Sequence, residues 1–178
     1  MSDKTKKLAL MAMGIALFVV FSLMLQVPVF ENYYLCLGYV VMAVFCYCFG
    51  IWSGIIVGFF GVILYCLVIS GLRGMPGWAL GNIVIALLMG ISFRKTKPMS
   101  SVTGRTVINS AAILTGCAIG ILFLKSFTEV LLYGQPFLLR AGKNMYAFIA
   151  DVVVLWISLP ICEIVSKPAK KIFPNLIA

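Results

Sequence analysis

Long apolar runs separated by short polar segments recur along the whole chain, and their lengths are those of membrane-crossing helices. The first covers 8–27, directly behind Lys4, Lys6 and Lys7. It is too long for a signal-peptide core and no small-residue cleavage site follows it, so a retained first helix is expected. Pro28 and the segment Glu31-Asn32-Tyr33-Tyr34 read as a polar, aromatic turn. A short run over 35–49 ends at Gly50, and a third covers 51–69 with no charge in the connection, which predicts a tight turn. The segment from Ser70 to Gly77 contains three glycines and a proline and reads as a loop. Further helices are expected over 78–93, closed by Arg94, Lys95, Lys97 and Pro98, over 105–128, and over 142–165. About 20 apolar residues span the hydrocarbon core as a helix. The pattern therefore predicts an all-α membrane protein, a single bundle of six transmembrane helices filling residues 1–178.

Composition agrees: 178 residues, 63% apolar, 11% charged and a mean hydropathy of +1.13 amount to more apolar surface than a soluble domain of this size buries. Six spans leave no room for an ATPase domain, so any energy source is expected on another chain. The net charge of +9 reads as topology rather than nucleic-acid binding. Lys4, Lys6, Lys7, Arg94, Lys95, Lys97, Arg105, Lys167, Lys170 and Lys171 are ten of the fourteen basic residues, and all fall on one side of a six-span chain. By the positive-inside rule that side is cytoplasmic and holds both termini, leaving Arg73, Lys125, Arg140 and Lys143 toward the outer face. There is no histidine, and the six cysteines form no Cys-x-x-Cys pair. No metal, cofactor or catalytic site is expected, and the cysteines read as small buried hydrophobes.

Small residues recur at four-residue spacing: Ala12 and Ala16; Gly50, Gly54 and Gly58; Gly77 and Gly81; Gly116 and Gly120. In lipid such stripes let helix backbones approach closely. The glycines read as packing within the chain, whereas the alanines suit a second membrane protein equally well. Polar groups inside the spans are few and costly. Asn144 and Asp151, seven residues apart, share one helix face, as do Trp78 and Asn82, four apart. All sit in the outer halves of their helices. Asn32, Tyr33, Tyr34, Arg73, Trp78, Asn82, Asn144 and Asp151 are thus expected to line one outward-facing pocket, its aromatics stacking a flat ring and its polar groups bonding the ring's edge. Lys125 and Glu129 read as an ordinary helix-end pair.

The six-helix plan, Ala12-x-x-x-Ala16, the stretch from Leu37-Gly38-Tyr39 through Gly61, and the loop Gly71 to Trp78 followed by Gly81-Asn82 together resemble the substrate-binding S components of energy-coupling factor (ECF) vitamin transporters. The resemblance implies a membrane subunit that captures a vitamin or its precursor from outside. It would dock through Ala12 and Ala16 onto a transmembrane coupling subunit that carries two cytoplasmic ATPase subunits. It also implies gates at Asn32 to Tyr34 and Ser70 to Pro76, and a place in the bacterial plasma membrane. Asp151, Asn82 and Asn144 suit a small heteroaromatic ring, which ranks pyridoxine or a hydroxymethyl-pyrimidine first, with riboflavin and other vitamins behind. The rival classes are a self-sufficient carrier or channel, which would need no partner chains, and an intramembrane lipid-modifying enzyme, which would need clustered acids or histidines.

Overall fold

In the computed structural model, which describes residues 3–24, 28–30, 33–69, 71–72 and 74–174, the chain is helical apart from one small hairpin. Helix α1 (Asp3–Met24) leads into strands β1 (Pro28–Phe30) and β2 (Tyr33–Tyr34), which pair antiparallel, Pro28 opposite Tyr34. Helices α2 (Gly38–Phe49), α3 (Ile51–Val68) and α4 (Met75–Thr96) follow. Then α5 (Val102–Cys117) passes through a π-helical stretch, Ala118–Lys125, into α6 (Ser126–Tyr133) as one rod, and α7 (Phe137–Ile172) completes the bundle.

The boundaries have local causes. Gly50 is the single residue between α2 and α3, and its φ of +91° lies where a side chain is strained. Gly134, at φ +64°, closes α6 by donating its N–H to the Val130 carbonyl at 2.9 Å, the left-handed helix stop. Ser101 caps α5 by accepting the Gly104 N–H at 3.2 Å, satisfying one orphan donor. The polar turn expected near residue 30 is partly a two-stranded hairpin, packed against α7.

Among the described residues, length and composition match five of the six expected crossings. Five helical rods are long and apolar enough to cross a membrane: Thr5–Met24, Ile51–Val68, Met75–Thr96, Val102–Tyr133 and Phe137–Ile172. The run read as 35–49 yields the 12-residue α2, because Leu35 to Leu37 form a non-helical entry. At about 1.5 Å per residue it rises about 18 Å, against about 30 Å of hydrocarbon. Helix α4, the α5–α6 rod and α7 outrun their expected limits at both ends, α7 most of all, with 36 residues.

The core joins α2 to all its neighbours. Tyr39, Met42, Phe18, Ile85, Met89, Ile113, Ile121 and Leu155 are almost wholly buried. Helix α3 lies between α1 and α4, while α2 packs on α3 and α7. The glycine stripes pack within the chain: a methyl group on Gly81 would stand 2.6 Å from the Gly120 carbonyl oxygen, and one on Gly120 would stand 2.7 Å from the Gly81 carbonyl oxygen. Gly54 and Gly58 likewise face Cys46 and Met42 of α2.

Candidate functional site

Successive helices alternate in direction, so the β hairpin, the starts of α2, α4 and α7 and the end of the α5–α6 rod share one end of the bundle. Most of the polar side chains singled out in the sequence are there. The N-terminal half of α4 carries Trp78 and Asn82 on one face. The Trp78 indole Nε1 donates to the Tyr39 hydroxyl at 2.8 Å, and that hydroxyl donates to Asn82 Oδ1 at 2.9 Å. Asn82 Nδ2 donates in turn to the Gly58 carbonyl at 3.0 Å, a contact made possible by the missing side chain on α3. The Trp78 ring is held edge-on against Tyr65, centroids 5.7 Å apart. Asp151 on α7 is 4% exposed and lies within electrostatic reach of Lys125 and of Tyr39. The Tyr39 hydroxyl thus ties α2 to α4 twice, and Asn82 carries the connection on to α3.

Seven residues before Asp151, and on the same face as expected, Asn144 is also buried. Its Nδ2 donates to Ser126 Oγ at 2.9 Å and to Glu129 Oε2 at 3.1 Å. Arg140, one turn earlier, brings Nη1 to 3.9 Å from the same carboxylate oxygen. Lys125 and Glu129 are 8% and 5% exposed. The pair read from the sequence as a helix end thus lies in the interior, Lys125 at the end of the π stretch and Glu129 on α6. Buried charges must be paired and hydrogen-bonded to persist, and here each faces groups of opposite sign or amide donors.

Of the eight expected pocket residues, Trp78 and Asn82 share a face of α4 and Asn144 and Asp151 a face of α7, all at the hairpin end. Tyr33 and Tyr34 are placed by their backbone in β2 at the same end; Asn32 and Arg73 lie outside the described residues. Tyr39, Ser126 and Glu129 were not among the expected pocket residues. Tyr39 had a signal in plain view, since a tyrosine within an apolar helix brings a hydroxyl that must find a partner. The alanine stripe also resolves: Ala12 and Ala16 are exposed on α1, while Gly14 and Phe18 carry the inward face. The six cysteines are buried and free.

At the other end, Asn109 Oδ1 accepts from Ser92 Oγ at 2.7 Å and Thr96 Oγ1 at 3.1 Å, and Arg105 pairs with Glu163 at 3.2 Å. These tie α4, α5 and α7 together.

Aromatic rings, amides and buried charged groups gather at the hairpin end. No curated protein matches the chain. A family model described as "ECF-type riboflavin transporter, S component" matches residues 2–167, nearly the whole chain and every helix of the bundle. The chain belongs to that family, the S components of ECF transporters, and is a membrane transport subunit that binds a vitamin rather than an enzyme.

Proposed function

We propose that this chain captures riboflavin at the hairpin end of the bundle and delivers it to an ECF module. The observation that carries the reading is the family match over residues 2–167, whose description names riboflavin. It moves riboflavin ahead of pyridoxine and the hydroxymethyl-pyrimidine. The chemistry supports that order. An isoalloxazine ring system is large and flat with a polar pyrimidine edge, which suits Trp78 and the Tyr33 and Tyr34 strand for stacking and Asp151, Asn82 and Asn144 for the edge. Asn32 and Arg73 complete the rim in this reading, and Asn32 to Tyr34 and Ser70 to Pro76 act as gates. Asn82 and Asn144 already hydrogen-bond inside the chain, so their part is to present a pre-formed edge rather than to reorganise.

In the same reading α2 is a short sixth crossing within the bundle, and both termini are cytoplasmic because ten of the fourteen basic residues lie at that end. Ala12 and Ala16, exposed on α1, dock onto the coupling subunit, and two ATPase subunits supply the energy. The membrane is a bacterial plasma membrane.

The test uses the full chain purified in detergent. Riboflavin fluorescence should be quenched on binding, an excess of pyridoxine or hydroxymethyl-pyrimidine should not displace it, and mass spectrometry should find riboflavin as the co-purifying small molecule. Binding of pyridoxine without riboflavin would refute the assignment. Uptake by the isolated chain in vesicles, without partner subunits, would favour the self-sufficient carrier instead.

A further inference from the structure

The rod from Val102 to Tyr133 changes its winding where its buried positions change their spacing. Beyond Ile113 the buried positions come in pairs, Gly116 with Cys117, Gly120 with Ile121 and Lys125 with Ser126, so that one pair follows the next first at a four-residue and then at a five-residue step, with Glu129 beyond. In an undistorted α-helix five residues advance about 500°, which would leave Lys125 about 140° round the rod from Gly120. The π-helix closes its hydrogen bonds over five residues, so a five-residue step returns a side chain close to its starting face. The π-helical stretch Ala118–Lys125 therefore absorbs one residue and keeps both halves of the buried stripe in line. Helix α4 holds it in place: Gly81 lies against the Gly120 carbonyl, and a methyl on Gly77 would stand 3.0 Å from both the Lys125 Cα and its carbonyl oxygen.

We propose that this π-helical stretch is a register device for the binding end: by taking up one residue it turns Lys125 and Glu129 inward and makes them positioning residues, Glu129 for Asn144 and Lys125 for Asp151. Glu129 Oε2 accepts the Asn144 amide at 3.1 Å, and Lys125 is buried at the same end as Asp151, near enough for the two groups to act on each other electrostatically. Wound as a plain α-helix without loss of a residue, the rod would aim Leu124 and Thr128 at the core and send two charged side chains toward lipid, where they are costly. The inference rests on the reading of this end as the flavin site, so one measurement is made without ligand.

The experiment compares the full chain with four variants in detergent: deletion of Phe123, insertion of one alanine after Phe123, Lys125→Met and Lys125→Arg. Phe123 is 59% exposed, and its deletion restores a four-residue step with Lys125 and Glu129 still inward. That variant should melt no lower than the wild-type chain and bind riboflavin within about threefold of it. The insertion turns the second half of the rod by about 100°; it should lower the ligand-free melting temperature clearly and weaken binding by at least about tenfold. Lys125→Met should lose at least about tenfold in affinity, with Lys125→Arg recovering most of that loss. An insertion that melts like the wild type, a deletion that melts as low as the insertion, or a Lys125→Met chain with undiminished affinity would overturn the proposal. If the wild-type chain binds no riboflavin, the flavin reading falls, while the order of the melting temperatures still decides the register.

Discussion

Gly81→Ala adds one methyl group where α4 meets the π-helical stretch, and two effects oppose each other there. Alanine is the better helix former inside a helix by about 0.5–1 kcal/mol. The methyl, however, would lie 2.6 Å from the Gly120 carbonyl oxygen and 3.1 Å from its carbon. Both obstacles are backbone, so no side chain can swing aside and the helices must part. Overpacking of this kind costs about 1–3 kcal/mol, which leaves a net loss of about 1–2 kcal/mol. Gly142 is the internal control: it is exposed on α7, with nothing within 4 Å of an added methyl, so Gly142→Ala keeps the propensity gain without the clash. In a thermal shift assay in detergent, Gly81→Ala should melt several degrees below the wild type and Gly142→Ala at or slightly above it, at about 2–4 °C per kcal/mol. Flavin affinity should fall in Gly81→Ala as well, because displacing α4 stretches the Trp78–Tyr39–Asn82 hydrogen bonds of 2.8 and 2.9 Å. A Gly81→Ala chain as stable as wild type would show that the two helices do not touch through their glycines, and would remove the anchor of the π stretch with it.

The site and the docking face give three further tests. Tyr39→Phe removes the hydroxyl that ties α2 to α4 and strands Asn82 Oδ1 in a fully buried position; it should cost about 1–3 kcal/mol of stability, read by the same thermal assay, and an unchanged melting temperature would contradict the network. Asp151→Asn should weaken riboflavin binding at least tenfold, about 1.4 kcal/mol; unchanged affinity in a fluorescence titration would remove Asp151 from the site. Replacing Ala12 or Ala16 with leucine should abolish uptake coupled to ATP hydrolysis while riboflavin binding to the isolated chain persists, since both positions are exposed on α1; loss of binding would mean that the stripe serves the chain's own packing.

The glycine stripes were legible because close approach in lipid needs small residues at helical spacing, whichever helix comes to face them. Asn144 and Asp151 were legible as a pair because seven residues make nearly two turns. Tyr39 was hidden in an apolar run, and Lys125 with Glu129 looked like a surface pair because their spacing fits an ordinary helix end. A spacing of four says that two side chains are neighbours along a helix. It does not say toward which side of the bundle the helix has turned them.

By itself the sequence determined a membrane bundle, the order of its helices, the basic bias of one end and the gathering of polar groups toward the other, since hydropathy, charge and helical period act locally along the chain. Only the tertiary structure decided that α2 is too short to span a bilayer unaided, that Tyr39 binds Trp78 and Asn82 through one oxygen, and that one extra residue in the α5–α6 rod is spent on a π-helical stretch. Those outcomes depend on which backbones meet and how closely. Gly81 against Gly120 is the plainest instance: each glycine allows a contact, but only their meeting determines which way Lys125 faces.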